Sequence, residues 1–184
     1  MTGPARSRKP AAVRRAEILE AADAEFALKG LSGAGIEAIA ARVGISHPRI
    51  VQMFGSKLDL FLCVVHAAYD RIEATFESAE PTLSALGDAY GHLLHSRPTV
   101  GLILLQAYAA AGDAAVQESV RRRQLDLQQT ITRLTAATPM QVRSFVATGL
   151  ILTVSTVLDL PERRADTEWC AWIVGLTEPH AEGL

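Results

Sequence analysis

The chain has 184 residues, room for one domain or two small ones, and 49% of them are hydrophobic, ample for a core. Only 5% are aromatic, and the Ala- and Leu-rich composition favours helix over sheet. A net charge of −2 excludes a protein that coats nucleic acid along its whole length. It hides an asymmetry, however: residues 1–60 carry nine Lys/Arg against six Asp/Glu, and residues 61–184 carry nine against fourteen, so one end is suited to a polyanion.

Residues 1–10 hold two prolines beside Arg6, Arg8 and Lys9 and read as a flexible basic arm. A first helix is predicted from Ala11 to Lys29, with Ile18, Leu19, Ala22 and Phe26 as its buried stripe and Gly30 as its stop. Ile36, Ile39, Ala40 and Val43 then fall at i, i+3, i+4 and i+7, one face of a second helix, and Gly44 follows where a left-handed residue would end it. Ser46 is placed to cap a third helix, with Pro48 tolerated in its first turn. Ile50 and Phe54 point inward from this third helix, while His47, Arg49 and Gln52 look outward. Two short helices joined by a tight Gly-Ile-Ser bend, the second with a polar outer face, form a helix-turn-helix, whose second helix fits a DNA major groove.

Ser56-x-x-Asp59 is a capping box opening a fourth helix of more than 20 residues, which ends before Pro81. A fifth helix spans about Thr82 to Ser96, and Pro98 opens a sixth that Gly112 ends. Asp113 caps a seventh running to about Ala137, Thr138-Pro139 starts an eighth running to about Leu158, and a ninth covers about Glu162 to Leu176. No strand pattern and no repeat stands out. The expected fold is all-α with about nine helices. Residues 1–10 form an arm, residues 11–55 a helix-turn-helix bundle, and residues 56–184 a larger helical domain hinged near Ser56.

Cys63 and Cys170 lie far apart in a Cys-poor chain, which argues against a disulfide framework, fits a reducing compartment, and suggests two small buried hydrophobes. The basic, polar first fifteen residues are followed by no apolar stretch of signal-peptide type. The apolar run from Phe145 to Leu158 is broken by Thr and Ser and is shorter than the roughly 20 residues a membrane helix needs. A soluble, cytoplasmic protein without a membrane partner is expected.

The N-terminal third resembles the TetR family of transcriptional regulators. Arg15-x-x-Ile18-Leu19-x-Ala21-Ala22, Phe26-x-x-x-Gly30, Ile36-x-x-Ile39-Ala40, Gly44-Ile45-Ser46, Pro48, Phe54, Ser56-Lys57 and Leu60-Phe61 carry the likeness in order and spacing. The remainder is similar in architecture, and Phe145-x-x-x-Gly149 with the apolar helix after it looks like the family's penultimate helix. The resemblance implies a homodimer in which helices one to three bind double-stranded DNA, helices five to seven enclose a small-molecule ligand, and helices eight and nine pair across a two-fold axis. Two departures stand out. Gly35 replaces the hydroxyl residue that usually opens helix two, and Val51, Gln52 and Met53 replace the family's frequent Tyr/His cluster, so the usual tyrosine–phosphate contact does not carry over to Val51.

DNA contacts are accordingly expected from Arg6 and Arg8 in the minor groove and from Ser46, His47, Pro48, Arg49 and Gln52 around helix three. Lys57, whose charge is unfavourable at a helix N-terminus, is expected on a phosphate. Arg121, Arg122 and Arg123 read as a solvated face pairing with acids such as Glu118 and Asp126. His66, Tyr69, His92, His95 and Tyr108 are the polar candidates for an otherwise apolar ligand pocket. Phe145, Gly149, Leu152, Trp169, Trp172 and Ile173 are assigned to the dimer seam. His92 and His95, at i and i+3, lack a clearly spaced third ligand, so no metal and no cofactor is expected. The chain has no nucleophile elbow, no Gly-rich phosphate loop and no H-E-x-x-H, so an enzyme is disfavoured. The reading is a ligand-responsive DNA-binding regulator, expected to act as a repressor; the alternative is a ligand-binding or interaction module of the same fold that has lost DNA binding.

Overall fold

A computed structural model describes residues 10–160, which form eight α-helices and, among the described residues, no strand. These are α1 (Ala11–Gly33), α2 (Ile36–Val43), α3 (His47–Phe54), α4 (Lys57–Glu77), α5 (Leu83–Ser96), α6 (Pro98–Ala109), α7 (Ala114–Thr135) and α8 (Pro139–Val157). The ninth helix expected from sequence lies outside the described residues. So do Arg6, Arg8, Cys170, Trp169, Trp172 and Ile173.

Local chemistry sets the helix boundaries. Thr82 caps α5 by accepting from the Ala85 N–H, and Asp113 Oδ1 accepts from the N–H groups of Ala115 and Val116 to start α7. Thr138 and Gln141 form a reciprocal capping box at the start of α8, and Ser56 and Asp59 do the same for α4. These Ser56 hydrogen bonds hold the Asp59 carboxyl below its ordinary range. In α1 the backbone leaves helical geometry at Gly30, with φ 66° and ψ −177°, and one more turn follows to Gly33. A Cβ at Gly30 would sit 2.5 Å from Oε1 of Gln106, so glycine serves both the left-handed backbone and the close approach of α6.

The described residues up to Ala68 and the segment Leu102–Val120 form one compact unit; Tyr69–Gly101 and the described residues from Arg121 onward form another. The first unit has at its centre Ile18, Phe26, Ile39, Ile50, Leu60 and Phe61, all at most 1% exposed, with the Phe26 and Phe61 rings edge to face at 5.1 Å. In the second unit, α5 and α8 pack closely through small residues. Cβ atoms built on Gly87, Gly91 and Gly149 would lie 3.7–3.8 Å from Phe145, Leu152 and Tyr90, which is ordinary contact. The buried hydroxyls of Tyr90 and Thr153 bond to each other at 2.7 Å. Phe145, Gly149 and Leu152, assigned from sequence to the dimer seam, thus face α5 within their own unit, and Phe145 also meets Phe76 of α4 at 5.9 Å.

The rest of α8 is sparsely covered: only Val142 and Thr153 are buried. Starting at Pro139 rather than Phe145, it has 19 residues, and an 18-residue stretch of it has a mean hydropathy of 1.3, long and apolar enough to cross a membrane by length and composition, a test that core helices of soluble proteins also pass. Arg123 of α7 also departs from expectation. It pairs with Asp70 at 2.6 Å and Glu73 at 3.3 Å on α4, rather than with acids of its own helix.

Burial is the main reason that the Glu73 carboxyl is raised above its ordinary range; Arg123 opposes the shift, and Asp70, Asp126 and Glu77 add to it. Its Oε1 is buried with no hydrogen-bond partner among the described residues. A carboxyl raised on folding favours the native state only while protonated, and that contribution is lost as pH rises through its native pKa. Glu73→Gln is therefore expected to gain stability over the wild type at about pH 7, and the gain should shrink towards about pH 4. Urea unfolding of both proteins across that window checks this; a difference that grows on acidification would contradict it.

Candidate nucleic-acid interface

Helices of eight residues are not stable alone in water, so α2 and α3 hold their shape by packing. Ile36, Ile39 and Ala40 of α2 and Ile50 and Phe54 of α3 supply it; full burial of one such Ile or Phe contributes roughly 1.5–3 kcal/mol. Gly44, with φ 68° and ψ 40°, ends α2 in the left-handed region, and the Ile45 N–H donates to the Ala40 carbonyl to close the turn. With the apolar side of α3 inward, Ser46, Pro48, Arg49, Val51 and Gln52 are exposed.

Several of these side chains are held by neighbours. Arg49 Nη1 donates to Gln52 Oε1 along the outer face of α3. His47 Nδ1 lies 2.8 Å from Glu37 Oε1 on α2. Ser46 takes the N-cap position in extended geometry, yet its hydroxyl makes no capping hydrogen bond, unlike the cap expected from sequence. Lys57 Nζ donates to the carbonyls of Ser32 and Ala34, at 3.2 and 3.0 Å, and so ties the α1–α2 connection to the start of α4. The unfavourable placement that suggested a phosphate partner is thus already offset within the protein.

Two arginines that counted towards the basic end serve inside the unit. Arg14 Nη1 donates to the Val43 carbonyl at the last residue of α2, at 3.1 Å. Arg15 stacks its guanidinium 4.2 Å from the centre of the Phe54 ring and donates to the Met53 carbonyl at 3.4 Å, at the end of α3. Cations at helix C-termini complement the exposed carbonyls there. These braces link residues 29 and 38 positions apart, so no local spacing signals them.

The pocket candidates are divided between the two units. His66 and Tyr108 belong to the first unit, where His66 Nε2 pairs with Ser119 Oγ at 2.7 Å and Tyr108 is 37% exposed. In the second, Tyr69 is buried and its hydroxyl donates to Gln124. His92 and His95 are exposed, each turning Nδ1–H to the carbonyl one turn back, Asp88 and Gly91. His92 does line an open groove of about 700 Å3 with Ala74, Thr75, Ser78, Ala89 and Leu93. No group of three or more His, Cys, Asp or Glu placed to hold a metal occurs among the described residues.

The Gly44 turn sets how α3 follows α2. A Cβ there would meet nothing within 4 Å, so only the left-handed backbone opposes substitution. Gly44→Ala is expected to cost about 1 kcal/mol, and Gly44→Asn less, because Asn tolerates this conformation. Chemical denaturation of the two variants measures this; equal losses would contradict it.

Residues 18–64 match the model of the bacterial regulatory proteins of the tetR family. Over 122 residues the chain is 29% identical to the HTH-type transcriptional activator FasR of Mycolicibacterium smegmatis, a match covering 62% of this chain and 56% of that protein. The chain therefore spans little more than half the length of this relative. Its fold is similar to that of a TetR-like transcriptional regulator from Rhodococcus sp. RHA1 (TM-score 0.69, 20% identity, 94% of this chain and 100% of that one). It is also similar to the multidrug binding protein EbrR complexed with malachite green (TM-score 0.61, 18% identity, 90% of this chain and 98% of that one). The N-terminal segment 18–64 is thus similar to the tetR family of bacterial regulatory proteins, and the all-helical fold is similar to that of solved TetR-like regulators.

Proposed function

We propose that the protein is a cytoplasmic, homodimeric, ligand-responsive regulator that binds a near-palindromic operator through α3 and acts as a repressor released by a small apolar ligand. The observation that carries this reading is the exposed Ser46–Gln52 face of α3, with its apolar side buried and the helix held by α1. Arg49 is the leading base reader, since a guanidinium pairs bidentately with guanine O6 and N7. Two copies of α3, one per subunit, would enter successive major grooves about 34–36 Å apart.

Dimerisation is supported by α8. Met140, Arg143, Ala147 and Leu150 recur on it at i, i+3, i+7 and i+10, all exposed, with Met140 65% and Leu150 46% accessible. An apolar helix so poorly covered calls for a partner, and a second copy of the same helix serves under two-fold symmetry. The ligand proposal leans on the fold and on the drug-binding neighbour, and the His92 groove is its first place to look. A second reading, activation, is favoured by the designation of the mycobacterial relative as an activator.

Enrichment of a random duplex pool on the full chain should yield a two-fold symmetric sequence. Arg49→Ala is expected to weaken binding to it by about 1–3 kcal/mol in a fluorescence anisotropy titration. An unchanged affinity would refute the assignment and favour a module that no longer reads DNA. Leu150→Glu should turn a dimer into a monomer by analytical ultracentrifugation; a wild type that sediments as a monomer would remove the dimer.

A further inference from the structure

Glu37 stands in the first turn of α2 with its side chain 75% exposed, beside the surface proposed to meet phosphates. A carboxylate there adds repulsion towards DNA that a neutral side chain would not. Its neighbour is the imidazole of His47, the first residue of α3 and 41% exposed, whose Nδ1 lies 2.8 Å from Glu37 Oε1. The Glu37 carboxyl is held below its ordinary range first by a hydrogen bond from its own backbone. It is therefore an acceptor, and the proton in the pair sits on Nδ1. The two nitrogens of a neutral imidazole differ: when one carries hydrogen, the other is a bare acceptor.

We propose that Glu37 is a positioning residue for sequence reading, which, by holding the Nδ1 hydrogen of His47, presents Nε2 of the neutral ring as an acceptor for a base with an exocyclic amino group. Adenine N6 and cytosine N4 offer such a donor in the major groove; guanine O6 and thymine O4 offer only acceptors there and are rejected. The inference rests on the proposal that α3 reads DNA. Glu37 is not a reader itself. It acts through His47, as a second-sphere carboxylate sets the tautomer of a histidine ligand.

A first-turn acid also favours a helix on its own account, so the test must separate charge from hydrogen bonding. Glu37→Gln removes the charge and keeps an acceptor; Glu37→Ala removes both. Duplex pools are enriched at about pH 8 on the wild type, both variants and His47→Ala. The wild type and Glu37→Gln should share one position preferring A or C over G or T by roughly three- to tenfold. Glu37→Ala and His47→Ala should lose that preference and keep the rest of the motif. Long-range 1H–15N spectra of the free proteins should show hydrogen on Nδ1 of His47 in the wild type and Glu37→Gln, and its loss from Nδ1 in Glu37→Ala. Retention of the preference in Glu37→Ala, identical behaviour of the Gln and Ala variants, or a wild-type ring with hydrogen on Nε2 overturns the inference while leaving DNA reading intact. A wild type that enriches no sequence overturns DNA reading, and this inference with it.

Discussion

The structure around the candidate interface depends on how an eight-residue helix is kept in place. Alone, α3 could not offset the conformational entropy of its own residues. Ile50 and Phe54 hold it from below, and the Phe54 ring is clasped from outside by the Arg15 guanidinium. α2 is held in the same way, by Ile36, Ile39 and Ala40 beneath and by Arg14 on its last carbonyl. The first helix therefore acts as a clamp over the C-terminal ends of the two that follow. What remains outward on α3 is a short polar face whose direction is set by packing rather than by its own residues.

This arrangement redistributes the positive charge. Arg14, Arg15 and Lys57 each donate to main-chain carbonyls inside the unit. Their charge still contributes to long-range attraction of a polyanion. In the proposed reading, bases would be met by the residues with side chains outside, Arg49 and Gln52, which bond to one another, and His47, which bonds to Glu37. The outer face is thus partly organised by its own hydrogen bonds, which would lower the entropy lost on binding a duplex.

The helices were legible in the sequence because their ends are made by local chemistry. Thr138 with Gln141, Ser56 with Asp59, Asp113, Pro98 and Gly44 each act within a few residues of where they stand. Core positions such as Ile18, Phe26, Ile39 and Ile50 followed from helical spacing. Contacts between elements were not legible. Arg123 bonds to α4 instead of its own helix, and Lys57 bonds to carbonyls more than twenty residues away. The contact of Phe145, Gly149 and Leu152 with α5 was hidden for a related reason. α8 is apolar on most of its circumference, so periodicity could not say which side meets α5.

The account stands on α3 being the part of the molecule that enters DNA. The structure of the full chain bound to an enriched duplex tests this most directly. It should place the segment 46–52 of each of two subunits in the major groove, with the two segments about 34–36 Å apart along the duplex axis. A complex in which this segment lies away from the bases, or in which a single copy binds without a two-fold partner, would contradict it.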